Sequence, residues 1–170
     1  MSRGVVLWPG AATSAAIRAL WDALAERGLA SLATWTHQLH QPHCSLAVAE
    51  ELPVEQALAV CGRVPQRPIR LRAESVGVFP GGALFLACVA NSELLAEQRR
   101  VQAAVAALSV RPWPYFEPDN WVPQVTLAMS LTPEELAVAV PLVLQHLPIE
   151  GVFDHRGVED GTTGENWPAK

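Results

Sequence analysis

Two short segments, Pro42-His43-Cys44-Ser45-Leu46 and Pro123-Gln124-Val125-Thr126-Leu127, match in pattern position by position, and an alanine follows each. Their polar and apolar residues alternate with the two-residue period of a strand that has one face in the core. His43 and Ser45 therefore share one face, with Cys44 and Leu46 on the opposite, core side. Gln124 and Thr126 share a face by the same rule. A chain that carries such a pair twice is constrained to build two comparable strands, and this points to an internal duplication.

The surrounding pattern supports that reading. Val5 to Trp8, stopped by Pro9-Gly10, predicts a first buried strand, and Ser14 is placed to cap a helix running to about Gly28, with Ile17, Leu20, Trp21 and Leu24 at helical spacing. A strand from His43 to Val48 follows, and Pro53 opens a second helix that ends near Gly62. Ile69 to Phe79 and Ala83 to Val89 bracket Pro80-Gly81-Gly82, the signature of a hairpin. Ser92 is expected to cap a helix through about Leu108. After a loop rich in proline and aromatic residues, Arg111 to Pro123, come a strand at Val125 to Met129, a capped helix from Thr132-Pro133-Glu134-Glu135 to about His146, and a strand from Ile149 to Val158. Strands and helices thus alternate twice in similar order. The polar, glycine-rich residues after Glu159 are expected to fray.

The paired segments resemble the two His-x-Ser/Thr motifs, each on a strand and typically written Pro-His-x-Thr-Leu, that give the 2H phosphoesterases (the 2′-5′ RNA ligase-like proteins) their name. The first motif is intact here, and the second has Gln124 where the resemblance expects histidine. The resemblance implies an α+β, two-lobed, duplicated fold of antiparallel sheets with outer helices and a central cleft. One such bilobal domain would span residues 1–158, with a polar tail over 159–170. It also implies a site built from His43, Ser45, Gln124 and Thr126, and no metal or organic cofactor.

The chemistry of such a pairing is direct. Cleaving a cyclic phosphodiester needs one group to take a proton from the nucleophile and another to give one to the leaving oxygen, roles that two imidazoles share near neutrality. The Ser and Thr hydroxyls donate to the non-bridging oxygens. A glutamine can hydrogen-bond a phosphate oxygen or a water, but it exchanges no proton usefully near pH 7. Two readings follow: an impaired phosphoesterase acting on a 2′,3′-cyclic phosphate or a related RNA-end or nucleotide phosphodiester, and a non-enzymatic descendant that binds a phosphorylated ligand in the old cleft.

Other residues are candidates with bland alternatives. Tyr115 and Phe116, in a loop with Trp113 and Trp121, offer base-stacking surfaces or pack the loop against the body, and packing suits Trp121 best. Arg70 and Arg72 alternate along a strand and could hold phosphate or form a solvated face. His37, His40 and His43 are spaced by three, but Pro42 opposes a helix that would align them on a metal, and a strand would send consecutive ones to opposite faces. His155 reads as a surface strand residue before a substitute acid or base. Glu50-Glu51 and Glu134-Glu135 suit a solvated face and a helix dipole. Neither a GxxxxGK loop nor a GxSxG elbow occurs.

With 170 residues, half of them hydrophobic, the chain can bury a sizeable core as one domain. A net charge of −5 argues against gripping extended duplex nucleic acid by neutralising many phosphates. The expected partner is a small phosphoester ligand, a nucleotide or an RNA end, bound by a monomer. Three scattered cysteines make a poor disulfide framework, and no apolar run has the length of a bilayer span or of a signal-peptide core, so a cytoplasmic location is expected.

Overall fold

The computed structural model describes residues 2–35, 39–62 and 67–169. Among the described residues, eight antiparallel strands and four α-helices make an α+β fold: β1 (Ser2–Pro9), α1 (Ala11–Glu26), β2 (Cys44–Glu50), α2 (Val54–Gly62), β3 (Ile69–Phe79), β4 (Ala83–Cys88), α3 (Ser92–Ala106), β5 (Arg111–Pro112), β6 (Gln124–Ala128), α4 (Pro133–Leu144), β7 (Ile149–Asp160) and β8 (Asn166–Pro168). The strands form one hydrogen-bonded path, β5-β2-β1-β7-β3-β4-β6, with β8 added to β7. The two lobes are the two ends of this path.

With β5 set aside, the path is symmetric about the β7–β3 pair, β1 matching β4 and β2 matching β6, and the register shows why. Leu46 is an extra residue in β2, because Val5 pairs with Ala47 and Val6 with Ser45. Leu127 is an extra residue in β6, because Leu84 pairs with Ala128 and Phe85 with Thr126. Asp154 bulges from β7 between Phe153 and His155, and Glu74 bulges from β3 between Ala73 and Ser75. Between these bulges, Ile69 to Ala73 pair with Phe153 to Ile149 around Leu71 and Gly151, the centre of a pseudo-two-fold. The internal duplication is therefore written in the bulges, which re-aim side chains at fixed places in a ladder. By this symmetry Ser45 corresponds to Thr126, His43 to Gln124, Gly157 to Gly77, and Glu159 to Phe79.

The helices cover the sheet with their apolar sides. Ile17, Leu20, Trp21 and Leu24 of α1 and Leu94, Val101 and Val105 of α3 are buried, as are Cys44, Leu46, Val125 and Leu127 of the motif strands. The caps differ in part from expectation. Gly10, not Ser14, begins α1, and the Ser14 hydroxyl instead donates to the Pro9 carbonyl (2.8 Å). Asn91, one residue before Ser92, caps α3 by accepting from the Leu94 amide. The expected cap on α4 is a capping box formed by Thr132 and Glu135. The hairpin turn places Gly81 and Gly82 at φ of 89° and 79°, a region that glycine enters without steric cost.

The described C-terminal residues, expected to fray, are instead bonded into the fold. Asp160 accepts from the Thr162 and Thr163 amides, Arg3 Nε lies 3.3 Å from Asp160 Oδ2, and β8 pairs with β7. Long-range pairing supplies the order that local composition does not show. β7 accordingly runs past Val158 to Asp160.

Two glycines on the central strands make room for rings. A Cβ on Gly77 would lie 2.2 Å from the Phe85 ring, and one on Gly157 would lie 2.6 Å from the Trp8 ring and 2.3 Å from the Trp167 carbonyl. Because the last contact is backbone, it has little freedom to give. Gly157→Ala is expected to lower stability by about 1–3 kcal/mol through overpacking, measured by urea denaturation.

Candidate active site

The sheet brings the first motif and Thr126 of the second to a cavity of about 280 Å³ whose lining includes His43, Ser45, His40, Glu159, Thr126 and Phe116. Each motif strand is fixed where it bulges. Trp121 Nε1 donates to the Ser45 carbonyl (3.0 Å), and Trp21 Nε1 donates to the Thr126 carbonyl (3.1 Å). Gln98, buried on α3, donates to the Leu46 carbonyl (3.2 Å). Bulges leave backbone groups outside the ladder, and these donors satisfy them. Trp121 thus packs as expected, and its indole crosses from the second half of the chain to hold the first.

His43 Nδ1 lies 2.8 Å from the Gln41 carbonyl and 3.2 Å from Glu159 Oε2. Both neighbours are oxygen acceptors, so the hydrogen is assigned to Nδ1, and Nε2 of the neutral ring keeps the lone pair. Glu159 is 2% exposed. Its Oε1 lies 2.9 Å from His40 Nδ1, and its Oε2 accepts from Trp8 Nε1 at 3.4 Å. His40 is itself buried.

The second half-site is different in kind. The Thr126 hydroxyl donates to Gln124 Oε1 (3.1 Å), so the two polar groups of this motif are turned on each other. A groove of about 380 Å³ opens there, lined by Phe79, Tyr115, Phe116, Trp121 and Gln124 among others. It shares Trp113, Phe116, Thr126 and Met129 with the first cavity, so the two adjoin. Tyr115 and Phe116 lie in a short 3-10 turn, where Tyr115 is 77% exposed and Phe116 is half-buried.

The structure does not bring every candidate here. Arg70 and Arg72 sit where β3 pairs with β7 and line neither cavity. Arg72 is paired with Glu74 and Glu150, and Arg70 Nη2 is 3.8 Å from Glu150 Oε1. His155 is exposed and bonded to Asp154 (2.6 Å). His37 lies outside the described residues. Among the described residues no group of three or more His, Cys, Asp or Glu is arranged to hold a metal ion. The three thiols are buried and free. Burial pushes Cys88 up to about 12 and Cys61 up to about 11, and it raises Cys44 further, so none is an activated nucleophile.

Sequence reasoning missed Glu159, which it placed at the head of a tail, and it gave His40 no partner. Strand alternation carried through Gly157 would have put Glu159 on the face of β7 shared with His155. Nothing local signals that His40 reaches it.

A sequence model of the family described as the 2′-5′ RNA ligase superfamily matches residues 9–158. The chain belongs to this superfamily, that of the 2H phosphoesterases. Among solved structures, the apo crystal structure of E. coli LigT is similar in fold, with a TM-score of 0.66 at 16% identity, covering 99% of this chain and 94% of that one. No curated protein sequence matches. No helix among the described residues is long and apolar enough to cross a membrane.

Proposed function

We propose that this chain is a phosphoesterase of the 2H type that opens a 2′,3′-cyclic phosphate or a related RNA-end or nucleotide phosphodiester by acid-base catalysis, slowed by Gln124. The observation that carries this reading is His43: its Nδ1 is engaged by two acceptors, and its ring lines a cavity shared with Ser45 and Thr126. His43 Nε2 takes a proton from water as the water oxygen bonds to phosphorus. The bond from phosphorus to one ribose oxygen breaks, and solvent protonates that oxygen because position 124 carries no acid. The Ser45 hydroxyl donates to a non-bridging oxygen. Tyr115 and Phe116 provide the face on which a base stacks. The chain acts as a monomer in the cytoplasm, on a small ligand.

The bond from Thr126 to Gln124 favours a second reading, a binding protein whose second half-site is already satisfied internally. A panel of 2′,3′-cyclic nucleotides and RNA ends separates the two. Turnover that His43→Ala lowers by about 10²–10⁴-fold supports the enzyme. Calorimetric binding of the same ligands without turnover supports the second reading.

A further inference from the structure

The pseudo-two-fold that relates the motifs sets Glu159 of one lobe against Phe79 of the other. The two halves of the cleft therefore differ in more than one motif residue. One half holds an imidazole, a buried carboxylate and a second imidazole, His43, Glu159 and His40, within 3.2 Å of one another along the chain of contacts. The other holds an amide, a hydroxyl and a phenyl ring. We propose that Glu159 is the buried counter-ion and positioning residue of His43, itself held by His40 and by the Trp8 indole, so that the first half of the cleft stabilises the imidazolium formed when His43 takes a proton.

The site supports this physically. A carboxylate 2% exposed is costly unless it is bonded, and here Nδ1 of His40 and Nε1 of Trp8 both reach it. With the Gln41 carbonyl as the closer acceptor for His43 Nδ1, Glu159 is not needed to fix the tautomer. Its contribution is charge, exerted at 3.2 Å from a carboxylate that is itself 2% exposed. Among the described residues, the titratable groups facing His43 are Glu159 from β7 and, through it, His40 from the loop before β2. β1 contributes Val6 and Trp8, β2 contributes Ser45, and β6 contributes Thr126, none of which is charged near neutrality. Asp160, next along β7, is paired with Arg3.

The inference rests on the proposed reaction for its kinetic consequence but not for its structural one, so the test has two parts. The first follows the His43 imidazole by NMR through its titration in the unsubstituted chain, in Glu159→Gln and in Glu159→Asp. Removing the anion disfavours the charged ring, so the His43 step is expected at lower pH in Glu159→Gln and close to its original place in Glu159→Asp. In the unsubstituted chain, which needs no variant to fold, the Glu159 carboxyl carbon is expected to shift together with the His43 step. A carboxyl carbon indifferent to that step, or a His43 step unmoved in folded Glu159→Gln, overturns the proposal. The second part measures hydrolysis of a 2′,3′-cyclic nucleotide. Glu159→Gln is expected to lower kcat by about 10–100-fold with little change in KM, and to move the acid limb of kcat/KM to lower pH. Absence of turnover in the unsubstituted chain and in Gln124→His counts against the reaction alone, and the NMR result still decides the counter-ion.

Discussion

Replacing Gln124 with histidine is expected to raise turnover of a 2′,3′-cyclic nucleotide by about 10²-fold, the low end of the range for restoring a general acid. The gain follows from two changes. An imidazole at 124 supplies a proton to the leaving oxygen, a step now left to solvent. The substitution also releases the Thr126 hydroxyl from Gln124 Oε1, freeing it to donate to the phosphate. The low end is expected because the place corresponding to Glu159 is taken by Phe79, which lines the groove beside Gln124 and offers the new imidazole no anion. Initial rates of the two chains and of His43→Ala/Gln124→His check this. If Gln124→His gains nothing and His43→Ala loses nothing, the acid-base reading of the cleft is wrong.

The largest effect on stability is expected away from the cleft. Arg156 is 4% exposed on β7, and its Nη1 lies 2.9 Å from Glu97 Oε1 of α3. Arg100 reaches the same carboxylate with Nη2 at 2.8 Å and Nε at 3.0 Å. The Arg156 contact is an ion pair whose bent geometry does not satisfy Nη1 as a hydrogen-bond donor, so charge more than directionality holds it. Glu97→Ala would leave the Arg156 guanidinium buried without its anion, and a loss of about 3–5 kcal/mol is expected in urea denaturation. Glu97→Leu with Arg156→Met is expected to recover much of this loss, because apolar packing replaces two desolvated charges. A double variant no more stable than Glu97→Ala would show that the pair does more than balance charge.

Much of the site was legible from local pattern. The period of two around His43 and Gln124 placed Cys44, Leu46, Val125 and Leu127 in the core and left the polar pairs on the cleft side, because alternation is a property of the strand itself. The Thr132 capping box was equally local. What stayed hidden depends on which strands meet. Arg70 and Arg72 alternate as read, but only the pairing of β3 with β7 shows that they face Glu150 and lie apart from the motif residues. Glu159 follows an apolar strand and precedes Asp160-Gly161, so composition marks it as the start of a tail. Its role emerges only because β8 and Arg3 extend the order past it. His40 sits in a loop with no period to read.

The order of strands bears on how the molecule can come into being. β7, from the second half of the chain, lies beside β1 in the lobe that carries His43, and β3, from the first half, lies beside β4 in the lobe that carries Gln124. Each lobe is thus completed by a strand on loan from the other. As the chain emerges from the ribosome, β1 and β2 are made early but wait for Ile149–Asp160 before their sheet can close. Closure over so many residues is slow on entropic grounds. The same exchange means that neither lobe is built from one half of the chain alone, so the two sides of the cleft close together or not at all.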